Sequence, residues 1–534
     1  MPRQADQPLQ DPAHHRRALT SAAGLIGLFT LLSRVLGLLR EMIVAWLFGT
    51  RAAADAFYVA FRLPNLLREL VAEGSMSAGF IPVFTQYLST RPREEARRLA
   101  DTSFTMVCVA LAVVSLLGLL AAPWLVRALA PGFADDAEKF TLTVTLTRIM
   151  FPFLLFVSLA AVAMGILNSF KSFTAPALAS SAFNICVIAL TLALAPRLDQ
   201  PVLALAIGVL LGGLVQFAVQ LPSLRAHGMG IRWHWEPSHP GLRRMLWLIL
   251  PTTIGLSVSQ INLVVNTILA SFLPDGSVAA LNYAMRLIQF PLGLFGVAIA
   301  TALLPTLSAQ SSLGQHDHFR QTSAFGLRLV FFITVPSMLG LILLREPIIQ
   351  VLFQHGAFDA QGTAGTASAL AAYSIGLWAF AGVRVVVQAF YAAQDTRTPV
   401  RAAVAAMLVN ILLSLALMGP LRHAGLALAA SIASMINFLW LLSLLHRRQG
   451  LPVREILQSH GKVVIASLSV ALICWPISEM PLWDQEGLWL SKMLWLAIGV
   501  GGSVGGFALG SAWLGSEEFA VMKQLLRQKL GLKP

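Results

Sequence analysis

The chain has 534 residues, 57% of them hydrophobic and only 12% charged, with a formal net charge of +13 and a mean hydropathy of +0.73. That balance excludes a soluble globular protein and a disordered one alike. It predicts an all-α polytopic membrane protein.

The first twenty residues, MPRQADQPLQDPAHHRRALT, form a polar tail that could pass for the start of a signal peptide. Arg34 and Arg40 interrupt what would be its apolar core, so a retained first helix is expected. Apolar runs of spanning length then begin near residues 21, 55, 102, 141, 176, 202, 243, 277, 325, 365, 400, 424, 461 and 490, which predicts about fourteen transmembrane helices.

The stretch from Ser33 to Phe84 is apolar enough for two spans, yet it carries Arg34, Arg40, Glu41, Asp55, Arg62, Arg68, Glu69 and Glu73. A central Arg opposes insertion by about 2.5 to 3.5 kcal/mol, so Arg34, Arg40, Arg62 and Arg68 together oppose it by roughly 10 to 14 kcal/mol. Seven-residue spacing puts Arg34 with Glu41, and Asp55 with Arg62 and Glu69, on shared helix faces, with Glu73 one turn on. Those faces are expected to look into a wet interior.

The basic balance follows the loops. Loops holding Arg91 to Arg98, Arg225 to Arg244, Arg397 and Arg401, and Arg447 to Lys462 alternate with loops holding Asp135, Asp136, Glu138, Asp275 and Glu346. The positive-inside rule then puts both termini in the cytosol, and no nucleic-acid partner is expected. Cys108, Cys186 and Cys474 lie far apart inside predicted spans and read as apolar packing residues without a disulfide.

The chain repeats itself at an offset of 223 to 224 residues. AFYVAFRLP from Ala56 answers ALNYAMRLI from Ala280, setting Arg62 opposite Arg286; Pro123 with Gly132 recurs as Pro347 with Gly356, and FTAP at Pro176 recurs as TRTP at Pro399. An even unit of six helices keeps both copies in one orientation, which is a transporter plan. The expected organisation is a tail over 1–20, a first lobe over 21–222, an interfacial linker over 223–242, a second lobe over 243–446, two further helices over 447–515 and an amphipathic tail over 516–534. In the linker, Trp233 and Trp235 beside Arg232 suit the membrane interface, and glycines four apart around Gly502, Gly506 and Gly510 suit close helix packing.

In the second lobe, Asn282, Arg286 and Gln289 share a face just before Pro291, the seventh helix offers Ser259, Asn262 and Asn266, and the tenth offers Arg384, Gln388 and Tyr391. The amides read as interhelical hydrogen-bonding residues and Arg286 as a functional one. A guanidinium is charged at every relevant pH and matches phosphate oxygens with a planar fork, so the ligand is an anion with phosphate leading. No nucleotide-binding or metal motif occurs, and Gly461-Lys462 lacks the rest of a phosphate loop. Neither enzymatic activity nor a cofactor is therefore expected. Moving each negative charge outward yields about 2.3 kcal/mol per 100 mV, so the membrane potential suffices to drive export, and an ion gradient with an unidentified coupling cation can contribute.

SRVLGLLRE, DAFYVAFRLPNLLRELVAEG, APGFA, GLSVSQINLVVNTILASFL, YAMRLIQFPLGLFGVAIATALLP and FYAAQDTRTPV strongly resemble the MurJ (MviN) lipid II flippases of bacteria, members of the multidrug/oligosaccharidyl-lipid/polysaccharide exporter superfamily. The resemblance covers nearly the whole chain and is weakest after about residue 450. It implies two six-helix lobes, a thirteenth and fourteenth helix forming a groove for the undecaprenyl tail, and a central cationic cavity worked by alternating access. It places substrate-binding arginines on Arg34, Arg40, Arg68 and Arg286, with Glu41, Asp55, Arg62, Glu73 and Arg384 as supporting charges.

Met285 and Gln289 stand where relatives have acids, and Glu41 stands for Asp, so a fixed carboxylate partner beside Arg286 is not expected. The implied role is movement of lipid II from the cytosolic to the periplasmic leaflet of the bacterial inner membrane, with other wall-synthesis proteins as candidate partners. Two alternatives stand beside it: export of another polyprenyl-linked oligosaccharide or of drugs, and a non-transporting scaffold for wall synthesis.

Overall fold

The computed structural model describes residues 12–70, 76–485 and 487–529, and among them every regular element is helical. The first repeat runs through α1 (Pro12–Phe48), α2 (Ala52–Arg68), α3 (Met76–Thr90), α4 (Arg93–Leu129), α5 (Ala137–Met150), α6 (Phe153–Ser169), α7 (Thr174–Leu194), α8 (Val202–Ala218) and the short α9 (Leu221–Ala226). The second comprises α10 (Pro240–Ser271), α11 (Ser277–Pro291), α12 (Val297–Ser312), α13 (His316–Leu343), α14 (Arg345–Leu352), α15 (Ala360–Ile375), α16 (Leu377–Ala392) and α17 (Arg397–Gln449). After it come α18 (Val453–Ser478), α19 (Trp489–Trp513) and α20 (Glu517–Lys529).

Nine helical stretches among the described residues are long and apolar enough to cross a membrane, or ten when α15 and α16, bent by 41° at their junction, count as one span. The number falls below fourteen because α2 and α3 are each too short to span, α2 also carries charges, and α17 counts once. That last helix is really two, kinked at Arg422, whose φ of 50° and ψ of −132° are not helical.

The duplication reaches the backbone. α5 and α6 break at Phe151–Pro152, and α15 and α16 break at the matching Gly376. Lys171 and Gln394, at the same offset, both adopt φ of 59°, and the two halves of α17 answer α7 and α8. After Pro291, whose ring removes a helical N–H, the chain passes through a π turn over Leu292–Gly296 before α12 begins.

The chain forms two compact units. One comprises residues 1–43, 59–126 and 140–257; the other comprises 44–58, 127–139 and 258–534. The first has a core in which Phe80 and Phe84 stack at 5.2 Å with Leu99, Phe104 and Ile166 around them. The linker and the start of α10 belong to this unit because Asp101 and Thr105 of α4 accept hydrogen bonds from the backbone of Arg232 and His234.

The second unit takes in two segments of the first repeat. Asp55 explains why: its carboxylate accepts from the backbone N–H groups of Gly276 and Ala279, both at 2.8 Å, at the first turn of α11. Gly276 has φ of 86°, and a Cβ there would lie 2.1 Å from the Thr50 carbonyl, so glycine is needed. Lys139 Nζ donates to Asp55 Oδ2 at 3.1 Å and Asp275 Oδ1 at 2.6 Å and sits 3.9 Å from the centre of the Phe133 ring. Nearby, Tyr283 donates to the Gly49 carbonyl at 3.1 Å and packs against Phe353, Phe358 and Tyr58.

At the C-terminal end the glycines of α19 divide by face. A Cβ on Gly506 would meet Ile473 of α18 at 2.8 Å and one on Gly510 would meet the Ala466 backbone at 3.4 Å, whereas Gly501 and Gly505 have nothing within 4 Å. Gly506 and Gly510 thus let α18 and α19 approach closely. α20 is fastened through Glu518, which accepts from Arg328 Nε at 2.5 Å, Ser459 Oγ at 2.8 Å and Ser516 Oγ at 2.7 Å.

Asp55→Asn leaves buried Lys139 with the exposed Asp275 as its acid and removes the carboxylate from the first turn of α11, and should cost about 3 kcal/mol in denaturant unfolding of the detergent-solubilised protein. Asp275→Asn, whose side chain is 59% exposed, should cost less than about 1 kcal/mol in the same assay. In the α16–α17 turn, the hydroxyl and backbone N–H of Thr398, together with Arg448, hold the Asp395 carboxyl at about 2 against an ordinary 3.8. Its contribution is therefore complete above the ordinary value and lost as pH falls through about 2; Asp395→Asn should flatten that part of the stability-against-pH curve.

Candidate functional site

The arginines expected to hold an anion are distributed over both units. Arg34, Arg40, Arg62 and Arg68 belong to the first, and Arg286 and Arg384 to the second. On α1, Arg34 is exposed and Arg40 half-buried. Arg40 Nη2 donates to Glu41 Oε1 at 2.7 Å and its Nη1 to Asn184 Oδ1 of α7 at 3.3 Å, with the Phe183 ring centre 5.9 Å from the guanidinium carbon. Glu41 is buried, so it serves as a counter-charge held inside the unit.

On α2, Arg62 is half-buried, and Arg68 Nε donates to Asn65 Oδ1 at 3.0 Å while Asn65 Nδ2 donates to Glu69 Oε1 at 2.9 Å. This is a local chain on one helix, made possible by three- and four-residue spacing. Asp55 was expected to share an inward-looking wet face with Arg62 and Glu69. It is instead fully buried at the first turn of α11, because α2 crosses from one unit to the other between Tyr58 and Val59. Glu73 lies outside the described residues.

On α11, Arg286 is exposed and its Nη1 lies 3.5 Å from Gln289 Oε1, an amide where a carboxylate would have neutralised it. Arg384 on α16 is also exposed. Arg40 and Arg68 of the first unit thus have Glu41 and Glu69 within reach, and Arg286 has the Gln289 amide beside it. Such groups suit a polyanion, which each guanidinium can meet with paired donors.

The amides behave as interhelical connectors. Asn410 of α17 donates through Nδ2 to Asn262 Oδ1 at 2.8 Å and Asn266 Oδ1 at 3.0 Å of α10. Sequence reasoning missed Asn410, Asn184 and Lys139. A signal existed only for Lys139, the basic residue that directly follows the acidic stretch Asp135 to Glu138.

The family model described as "Lipid II flippase MurJ" matches residues 44–491. The chain belongs to the MurJ family. A "Lipid II flippase MurJ" of Burkholderia cenocepacia is 41% identical to it over 436 residues, covering 81% of this chain and 84% of that one. A "Probable lipid II flippase MurJ" of Vibrio cholerae is 37% identical over 502 residues, 90% of this chain and 94% of that one. The solved structure "Lipid II flippase MurJ, inward closed conformation" aligns with a TM-score of 0.75 at 28% identity, covering 92% of this chain and 99% of that one. An inward-facing MATE-family multidrug transporter of the MOP superfamily aligns with a TM-score of 0.65 at 16% identity, covering 78% of this chain and 95% of that one, which is likeness of fold alone.

In this MurJ-family chain, Glu41→Gln should destabilise the first unit by about 3 to 5 kcal/mol, since Arg40 keeps its charge and loses its acid. Asn184→Ala, which removes a neutral amide bonded to Arg40 and to the Ser33 and Ser180 carbonyls, should cost less, about 1 to 3 kcal/mol. Chemical denaturation of both variants in detergent checks the ordering.

Proposed function

We propose that this chain is a lipid II flippase, moving the lipid-linked peptidoglycan precursor from the cytosolic to the periplasmic leaflet of the bacterial inner membrane. Membership of the MurJ family carries the reading, and the arginines placed in apolar helices give it a physical mechanism. Arg34, Arg40, Arg68 and Arg286 engage the pyrophosphate during alternating access. Glu41, Arg62, Glu73 and Arg384 tune the charge around them, and Asp55 acts through the structure it holds.

The termini face the cytosol, and transport proceeds without a catalytic step. The membrane potential supplies drive, with a coupling cation as a further contributor. Where other wall-synthesis proteins meet the chain, they do so as partners in the same precursor route.

The drug-exporter alternative shares the fold and is disfavoured by charge. A cationic drug calls for acids facing it, whereas the first helices carry Arg34, Arg40, Arg62 and Arg68. A scaffold would have no need for guanidinium groups that cost several kcal/mol to insert.

The deciding experiment is translocation of defined lipid-linked substrates in proteoliposomes, with potential and ion gradients set independently. Arg34→Ala, Arg40→Ala, Arg68→Ala and Arg286→Ala should each abolish most transport while the protein remains folded. Arg→Lys at the same positions should weaken substrate binding by about 1 to 3 kcal/mol, because a lysine loses the bidentate contact. Full transport in all four Ala variants would leave the scaffold reading standing.

A further inference from the structure

The linker between the repeats is bound along α4 in an ordered way that neither transport nor the arginine sites require. Arg93 Nη2 donates to the His227 carbonyl at 2.6 Å, the Arg232 N–H donates to Asp101 Oδ1 at 3.0 Å, and the His234 N–H donates to Thr105 Oγ1 at 3.0 Å. His239 is buried against the Tyr87 ring and accepts from the Gly241 N–H at 3.1 Å, closing the segment onto α10.

With residues 232 and 234 fixed to α4 through their N–H groups, the segment is held in place while Ile231, Arg232, Trp233 and Trp235 all remain exposed along it, Trp233 at 68%. The first turns of α10 add Leu246, Trp247 and Leu250, all exposed.

The level of this ridge is set by its attachment. Along α4 the charged turns from Arg93 to Asp101 give way to the apolar stretch from Phe104, and Thr105, which receives His234, stands at that boundary. Tryptophan beside the polar–apolar boundary of a spanning helix is the composition of the headgroup layer, where an indole has apolar and polar neighbours at once. The charge on the ridge is of one sign at its upper edge: Arg232, Arg243 and Arg244 are exposed, and Arg244 is anchored to Gln86 Oε1 at 2.9 Å. Glu236 is turned to His234 at 3.3 Å.

We propose that residues 231–250 form a docking site for anionic glycerophospholipid. The lipid phosphate lies against Arg232, Arg243 and Arg244, and its glycerol and upper acyl region lie against Trp233, Trp235 and Trp247. Because the same linker joins the two repeats, lipid bound here holds the hinge segment against α4. The inference is independent of what the protein transports.

The test uses the purified full-length protein in mixed micelles, titrated with phosphatidylglycerol or phosphatidylcholine and read by thermal unfolding. Phosphatidylglycerol should raise the unfolding temperature and phosphatidylcholine should not. Arg232→Gln/Arg243→Gln/Arg244→Gln should unfold at the parent temperature in phosphatidylcholine and show about tenfold weaker apparent affinity for phosphatidylglycerol, as expected for lost charge-assisted phosphate contacts. Trp233→Ala/Trp235→Ala should weaken the response as well, which a purely electrostatic effect would not do.

Arg447→Gln/Arg454→Gln, a charge-reducing pair in the other unit, should respond as the parent does. Inorganic phosphate at equal concentration should have no effect. An equal response in parent and triple variant, an equal loss in the control pair, or stabilisation by inorganic phosphate alone would each overturn the assignment.

Discussion

The Asp55 carboxylate is the contact on which the second unit depends. It is almost without water, yet two backbone N–H groups at the start of α11 and the Lys139 ammonium supply it with donors. A helix N-terminus concentrates unpaired N–H groups and partial positive charge, so an acid from elsewhere in the chain both caps and neutralises it. Segments 44–58 and 127–139 can belong to this unit because a single carboxylate is satisfied only when both are in place. Charge burial of this kind adds little net stability compared with an apolar core, but it penalises every arrangement that leaves one partner alone.

The same economy governs the arginines. Inserting a guanidinium into an apolar helix is costly, and the first unit lowers that cost with neighbours on the same or an adjoining helix: Glu41 and Asn184 at Arg40, Asn65 and Glu69 near Arg68. The second unit answers Arg286 with Gln289. Duplication preserved the backbone, down to the matching left-handed Lys171 and Gln394, while the charges of the two copies diverged.

The linker shows how a segment without helix becomes ordered. The backbone donors of Arg232 and His234 are met by Asp101 and Thr105 of α4, so this stretch needs no ladder of its own. The motif was visible as Trp233 and Trp235 around charged Arg232; that its backbone is tied to a helix about 130 residues earlier was not.

By itself the sequence determined the all-α membrane class, the duplication with its offset, the arginine-bearing helices and the family resemblance. These are readable because hydropathy, helical period and repetition are properties of neighbouring residues or of aligned copies. The tertiary structure alone decided that Asp55 meets Lys139 across 84 positions and the α11 backbone across 221, that Asn184 reaches Arg40, and that Asn410 joins Asn262 and Asn266. A single polar side chain has no periodicity to announce its partner. Its choice is made by whichever buried donors and acceptors packing brings within about 3 Å, where leaving any of them unmet costs more than the contact itself gains.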